Sequence, residues 1–193
     1  MSKIKWIVLF FVAFFLKIDF SFSQSKDKLI PWSSHQRLTG ANFEKPAPDV
    51  RTERNLGHGK KSILEGFIFT GIDFGFQRIN NDITYTVQSF MEPEKSWMSD
   101  TSNIQTLEHE QAHFDITEIY SRMMKRELST TKNNTVAKQV YQNYFHDLQL
   151  EQNKFDAAHH GETGVEPEWQ KKITKELEEL EKWENNTVKV KLK

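Results

Sequence analysis

The stretch LEHEQAHFDITEIYSRMMKREL, residues 107–128, decides the fold because it predicts one long helix with a chemical motif on one side. No glycine or proline interrupts residues 102–128, so we expect a helix over about 103–128. At 100° per residue, one stripe of that helix holds two histidines and three apolar residues: His109, His113, Ile116, Tyr120 and Met123. The apolar members indicate that the stripe faces the core, with the histidines near its edge.

Residues 109–113 form a His-Glu-x-x-His motif. On a helix, the two imidazoles can converge on one metal ion while Glu110, on the neighbouring flank, reaches a water held on that ion. Zinc is the predicted ion, because nitrogen and oxygen ligands leave a position for water and the chain has no cysteine for a structural site. Glu110 is then the predicted base, which accepts a proton as the water attacks a carbonyl. Without an ion, Glu110 would be a solvated flank residue on a charged helix where two histidines coincide by chance.

The third metal ligand is expected in the segment FDAAHHGE, residues 155–162. A second helix packed back against the first would bring this segment, which follows it, to the ion. His160 stands beside Gly161, where a backbone turn can aim it, and His159 is the alternate ligand. The other interpretation is that both histidines are exposed in a loop.

Two acidic residues of the first helix point away from the motif. Glu118 lies about 180° around the helix from His109, and Asp115 about 240°. We therefore expect these carboxylates to cap, to form salt bridges or to support the ligands from behind, rather than to bind the ion.

The segment before the helix predicts antiparallel strands. In DITYTVQSFM, residues 82–91, apolar and polar residues alternate as in a half-buried strand. SILEGFIFTGIDFGFQ, residues 62–77, precedes it, and Asn80-Asn81 between them suits a hairpin turn. Residues 24–62 are rich in Ser, Lys, Pro and Gly and predict loops with short extended pieces.

Beyond the motif, helices are expected over about 135–156 and 167–184. Strands first and helices afterwards predict an α+β fold, in which N-terminal antiparallel strands pack on the motif helix. Residues 24–193 are long enough for one domain with its own core.

The first 23 residues predict a secretory signal peptide. Lys3 and Lys5 precede an apolar run at 6–16, and Ser21 and Ser23 suit a cleavage site. The run is too short to span a bilayer, which needs about 20 apolar residues, so we expect export rather than stable membrane insertion. Cleavage removes three basic residues and one acidic residue and moves the net charge from −1 to −3. That charge gives no electrostatic basis for binding nucleic acid.

Three segments resemble the bacterial family of predicted secreted zinc-dependent proteases, a domain family of unknown function. They are SFMEPEKSWM (89–98), the central run 107–128, and FDAAHHGETGVEPEWQKKI (155–173), with RLTGANF (37–43) a weaker match. The third segment departs from the family, because two alanines and His159 stand where the family carries an acidic residue and a threonine, and the spacing is one residue short.

The resemblance implies a zincin-like metallopeptidase fold with His109 and His113 as zinc ligands and Glu110 as base. It also favours His160 over His159 as the third ligand. The predicted function is therefore an exported zinc hydrolase that acts on a peptide or protein in the periplasm or outside the cell. The alternative is a secreted zinc-binding or interaction domain without catalysis.

Overall fold

The computed structural model describes residues 28–48, 53–55, 61–158 and 164–192. The predicted signal peptide and both loop histidines, His159 and His160, lie outside these residues. The described helices are α1 Ile104–Leu128, α2 Asn134–Ala158 and α3 Pro167–Glu179. The described strands are β1 Ile30–Pro31, β2 Glu53–Asn55, β3 Lys61–Ile63, β4 Gly66–Phe67, β5 Thr70–Ile79, β6 Asp82–Met91, β7 Trp97–Met98 and β8 Thr187–Lys191.

Strands β5 and β6 form a long antiparallel hairpin, as the sequence predicts. Their register runs without interruption from Thr70 opposite Met91 to Ile79 opposite Asp82. Asn80 turns the chain with a φ of 52°, a left-handed conformation that asparagine tolerates better than most residues.

Strand β6 is the centre of a four-stranded antiparallel sheet. β5 pairs along one side of it, while β1 pairs with its last residues and β8 with its first residues on the other side. Two short antiparallel pairs, β2–β3 and β4–β7, stand apart from this sheet. The pair β4–β7 lies beside the N-terminal half of α1 and matters for the site.

The predicted helix over 167–184 is wrong in its last part. Helix α3 ends at Glu179, a short 3-10 turn covers Glu181–Trp183, and strand β8 follows. The β-branched Val188 and Val190 alternate with polar residues and are buried against the sheet, which is the two-residue period of a strand. Strand β8 was missed because its partner, β6, is far away in the sequence.

The core lies between the sheet and α1. Ile83, Tyr85 and Val87 on the inner face of β6 are almost completely buried, and they belong to the same cluster as Ile116 and Ile119 of α1. Helices α2 and α3 pack against α1 in turn. The predicted α+β class, with antiparallel strands packed on the motif helix, is therefore confirmed. None of the described helices is both long enough and apolar enough to cross a bilayer.

A second apolar cluster attaches the N-terminal segment to α1. Its buried members are Leu38, Phe43, Ile68, Met91, Met98 and Phe114. Two hydrogen bonds hold the same contact, from the Leu38 N–H to Gln111 Oε1 at 2.8 Å and from Trp32 Nε1 to Asp115 Oδ1 at 2.7 Å. This segment therefore fixes the half of α1 that carries the motif.

Candidate metal centre

Helix α1 presents both motif histidines on one side, one turn apart. It begins after Asn103, whose side chain caps it by accepting hydrogen bonds from the N–H groups of Gln105 and Thr106. The Nε2 atoms of His109 and His113 are 3.2 Å apart, and the two side chains are 14% and 13% exposed. The predicted stripe therefore places them at the edge of the core.

Asp156, in the last turn of α2, supplies the third group. Its Oδ1 atom lies 3.0 Å from His113 Nε2 and 3.4 Å from His109 Nε2. Ligand atoms about 2.1 Å from a tetrahedral zinc ion lie about 3.4 Å from one another, so these separations suit three ligands of one ion. His109, His113 and Asp156 thus form a cluster that could hold a metal ion.

Aromatic side chains form the inner wall of this cluster. The fully buried Phe155 ring contacts both histidine rings, with centroid distances of 4.8 Å to each. Trp169 of α3 packs edge-on against Phe155 at 5.3 Å. All three helices therefore contribute to the site.

The second nitrogen of each histidine ring also has a partner. His109 Nδ1 lies 3.1 Å from the carbonyl oxygen of Gly164, which precedes α3. His113 Nδ1 is hydrogen-bonded to Oε1 of Gln152 on α2. Both rings are therefore held with Nε2 directed toward Asp156.

Glu110 is buried on the flank of α1. It is 4% exposed because β4 covers this flank of α1. A Cβ atom added at Gly66 would lie 2.7 Å from Glu110 Oε1, and the Ile68 N–H donates a hydrogen bond to the Glu110 carboxylate. A helical projection places Glu110 on the flank of α1 but does not reveal that a strand packs there.

The charges of the cluster act on one another. Burial raises the pKa of the Glu110 carboxyl, and the histidine charges only partly oppose that shift. Burial lowers the pKa of His113, but hydrogen bonding to Asp156 and the negative charges of Glu110 and Asp156 outweigh burial, so its pKa is raised. The carboxylates of Glu110 and Asp156 therefore favour a positive charge at His113.

The two buried acidic residues of α1 that the helical projection places away from the motif, Asp115 and Glu118, contact the rest of the fold. Asp115 accepts hydrogen bonds from Trp32 and from Gln111, and burial raises the pKa of its carboxyl. Glu118 accepts hydrogen bonds from Arg122 Nε at 2.8 Å and from the hydroxyl of Ser89. These contacts anchor α1 to the N-terminal segment and to β6.

Sequence reasoning missed Asp156. Two features of the sequence pointed to it. Asp156 is the last residue of the predicted second helix, and that helix was expected to pack back against α1. Gln152 and Asp156 are also four residues apart, which places both on one side of α2. The predicted ligands His159 and His160 come directly after α2, but they lie outside the described residues.

Comparison with protein-family models, with curated proteins and with solved structures finds no match to this chain. The resemblance to secreted zinc-dependent proteases therefore stays a prediction, and any functional assignment depends on the site itself.

Proposed function

We propose that this chain is an exported zinc-dependent hydrolase that cleaves peptide bonds. The observation that carries the proposal is the meeting of His109, His113 and Asp156 at one point, with Glu110 next to the first ligand. Export follows from the predicted signal peptide. The peptide substrate and the zincin-like fold follow from the resemblance to secreted zinc-dependent proteases.

The donor set supports zinc. Two imidazole nitrogens and one carboxylate oxygen are a known set for catalytic zinc and leave a further position for water or substrate. Zinc in such a site lowers the pKa of its bound water to about 7 and polarises a carbonyl group. The same donors also suit iron(II). Glu110 favours hydrolysis, because a carboxylate beside the ligands can accept the proton that hydrolysis releases.

Glu110 is the proposed proton acceptor. Its carboxylate packs against the backbone at Gly66 and accepts a hydrogen bond from the Ile68 N–H. Its position is therefore fixed by β4 and the residue after it before substrate binds. A fixed acceptor does not have to be reoriented during the reaction, which is how preorganised groups contribute to catalysis.

Asp156 is the proposed third ligand, and variants distinguish it from the loop histidines. Asp156→Ala should lose zinc, since it removes a bond to the ion. His160→Ala or His159→Ala should lose zinc only if that histidine also binds the ion. Full zinc in Asp156→Ala together with loss in His160→Ala would restore the ligand that the resemblance implies.

The test of function pairs metal content with turnover. Zinc and iron are measured by atomic spectrometry on the purified chain, and cleavage of a peptide library is followed with and without chelator. His113→Ala should lose zinc, whereas Glu110→Gln should keep zinc while turnover falls about 100-fold or more. His146→Ala removes an exposed histidine of α2 and is the matched control.

Other results of these measurements would contradict particular parts of the proposal. Full zinc in His113→Ala would contradict the metal centre, and iron in place of zinc would contradict the metal assignment. Full turnover in Glu110→Gln would show that Glu110 is not the base. Stoichiometric zinc with no turnover in the wild type would favour the non-catalytic zinc-binding domain.

A further inference from the structure

Gln152 makes two kinds of contact with His113. Its Oε1 atom is hydrogen-bonded to the ring at Nδ1, and its Nε2 atom donates to the backbone carbonyl of His113 at 2.9 Å. The same Nε2 atom donates to Thr117 Oγ1 at 3.1 Å. The side chain is half-buried between α1 and α2. Gln152 therefore bridges the two helices at the residue whose other ring nitrogen faces Asp156.

The hydrogen bonds fix which way the amide points. A backbone carbonyl oxygen can only accept, so the group facing the His113 carbonyl must be the NH₂ of Gln152. The amide oxygen then faces the ring. With the amide reversed, two acceptor oxygens would oppose each other, and the contact with the His113 carbonyl would be repulsive.

The amide orientation in turn fixes the tautomer of His113. An amide oxygen accepts but does not donate, so Nδ1 of His113 must carry a proton. The lone pair of the neutral ring is then on Nε2, which is the atom 3.0 Å from Asp156 and 3.2 Å from His109 Nε2. The backbone carbonyl of Gly164 orients His109 in the same way, because it accepts a hydrogen bond from Nδ1 of that ring.

We propose that Gln152 is a positioning residue that holds His113 in the metal-binding tautomer and orientation. Gln152 and Asp156 are one turn apart, so one side of α2 supplies both a ligand and the group that orients a ligand on α1. The hydrogen bond between Gln152 and His113 does not depend on the proposed function, whereas its effect on zinc binding rests on that function. Groups that orient metal-binding histidines are typically worth about 10- to 100-fold in metal affinity.

The first measurement needs no metal. In the metal-free chain, proton–nitrogen NMR should detect a slowly exchanging Nδ1–H of His113, identified by its loss in His113→Gln. Gln152→Leu should remove that signal by breaking the acceptor contact. Gln152→Glu keeps one acceptor for Nδ1–H but places its second oxygen against the His113 carbonyl, so the signal should weaken rather than vanish. Absence of the signal in the wild type, or its persistence in Gln152→Leu, would overturn the proposal.

The second measurement is zinc affinity by competition with a chelator. Gln152→Leu should bind zinc about 10- to 100-fold more weakly than the wild type, and Gln152→Glu, which keeps an acceptor for Nδ1, should bind zinc more tightly than Gln152→Leu. Gln149→Leu makes the same change at an exposed position of α2 and should have no effect. Equal affinities for Gln152→Leu and the wild type would overturn the positioning role.

The two measurements distinguish failure of the proposed function from failure of the role proposed for Gln152. A wild type that binds no zinc contradicts the proposed function, and the NMR signal then decides alone whether Gln152 orients His113. A wild type that binds zinc while Gln152→Leu binds it equally well contradicts only the role of Gln152. If Gln152→Leu does not fold, Gln152→Ala is used instead, and persistence of the Nδ1–H signal in that folded variant would reject the proposal.

Discussion

Gly66 is the residue at which the fold leaves room for Glu110. The Glu110 carboxylate occupies the space that a Cβ atom would take, and Thr106 lies almost as close. The missing side chain on β4 therefore lets the strand pack directly against the carboxylate. Gly75 in β5 has no such neighbour, since a Cβ there would meet nothing within 4 Å.

Gly66→Ala should displace Glu110 without touching the metal ligands. A Cβ at 2.7 Å from Oε1 forces a shift, for which overpacking typically costs about 1–3 kcal/mol of unfolding free energy. Zinc content should stay near that of the wild type, while turnover falls about 10- to 100-fold through misplacement of the carboxylate. Gly75→Ala is the control and should change neither quantity by much. Turnover equal in Gly66→Ala and the wild type would argue against Glu110 as the base.

At the scale of the elements, α1 has two different polar surfaces. One carries the histidines, and the other carries a buried ionic cluster of Glu118, Arg122 and Lys125, with both cationic side chains at 2% exposure or less. Arg122 also donates to the carbonyl of Leu177 at the end of α3, and Lys125 to that of Glu184. The cluster thus holds α1 against the C-terminal part of the chain.

Glu118→Ala should destabilise the fold but leave metal binding intact. The substitution leaves Arg122 and Lys125 buried without their shared carboxylate, which typically costs about 3–5 kcal/mol. Chemical denaturation measures that loss, and atomic spectrometry should still find about one zinc per folded chain. Glu108→Ala, an exposed change on the same helix, should stay within about 0.5 kcal/mol of the wild type. A folded Glu118→Ala chain without zinc would contradict the separation of the two surfaces.

The contact between α2 and α3 should depend on pH. Burial acts to raise the pKa of Glu151, but hydrogen bonds and charges from Lys172 and Lys154 outweigh burial, so its pKa is lowered from 4.5. A carboxyl with a lowered pKa stabilises the fold above its ordinary pKa, and this stabilisation is lost as pH falls through the lowered value.

Lys172→Met should therefore lower the unfolding free energy at pH 7 by about 1 kcal/mol or less, given the half-exposed lysine. The difference from the wild type should shrink as the pH falls below the ordinary pKa of 4.5 and through the lowered pKa of Glu151. Lys171→Met, an exposed change beside it, is the control. A difference that is constant from pH 7 to pH 3 would show that Lys172 acts through packing, including its contact over the Trp169 ring, and not through charge.

At the scale of the whole molecule, the metal centre would join elements that are distant in the sequence. His113 and Asp156 belong to different helices, so an ion bound to both would link α1 to α2 in the native state only. Zinc at about 100 times its dissociation constant should stabilise the wild type by about 2.7 kcal/mol. A chain of this length should then melt about 5–10 °C higher.

Asp156→Ala should abolish that rise in melting temperature, while Asp147→Ala, an exposed change on α2, should retain it. Differential scanning calorimetry with and without zinc measures both variants. An equal rise in Asp156→Ala would mean that zinc binds elsewhere and would contradict the proposed centre.

The sequence predicted the features that depend on neighbouring residues. The hairpin followed from alternation around Asn80-Asn81, and α1 from an uninterrupted helical stretch that places His109 and His113 on one side. The missed features all depend on distant pairings: Gly66 against Glu110, Asp156 against the histidines, and β8 against β6. No local pattern specifies which remote segment will fill a helix flank or a strand edge.

The two strands that complete the free side of β6 come from opposite ends of the described chain. Ile30 pairs with Met91, whereas Lys191 pairs with Asp82, roughly a hundred residues earlier in the sequence. A chain that is still emerging from a ribosome lacks β8, so the edge of β6 and the apolar side chains beneath it are not yet covered. Pairings of such long range form slowly because the loop between them must close first. The topology therefore delays completion of the sheet until the C-terminal strand is available.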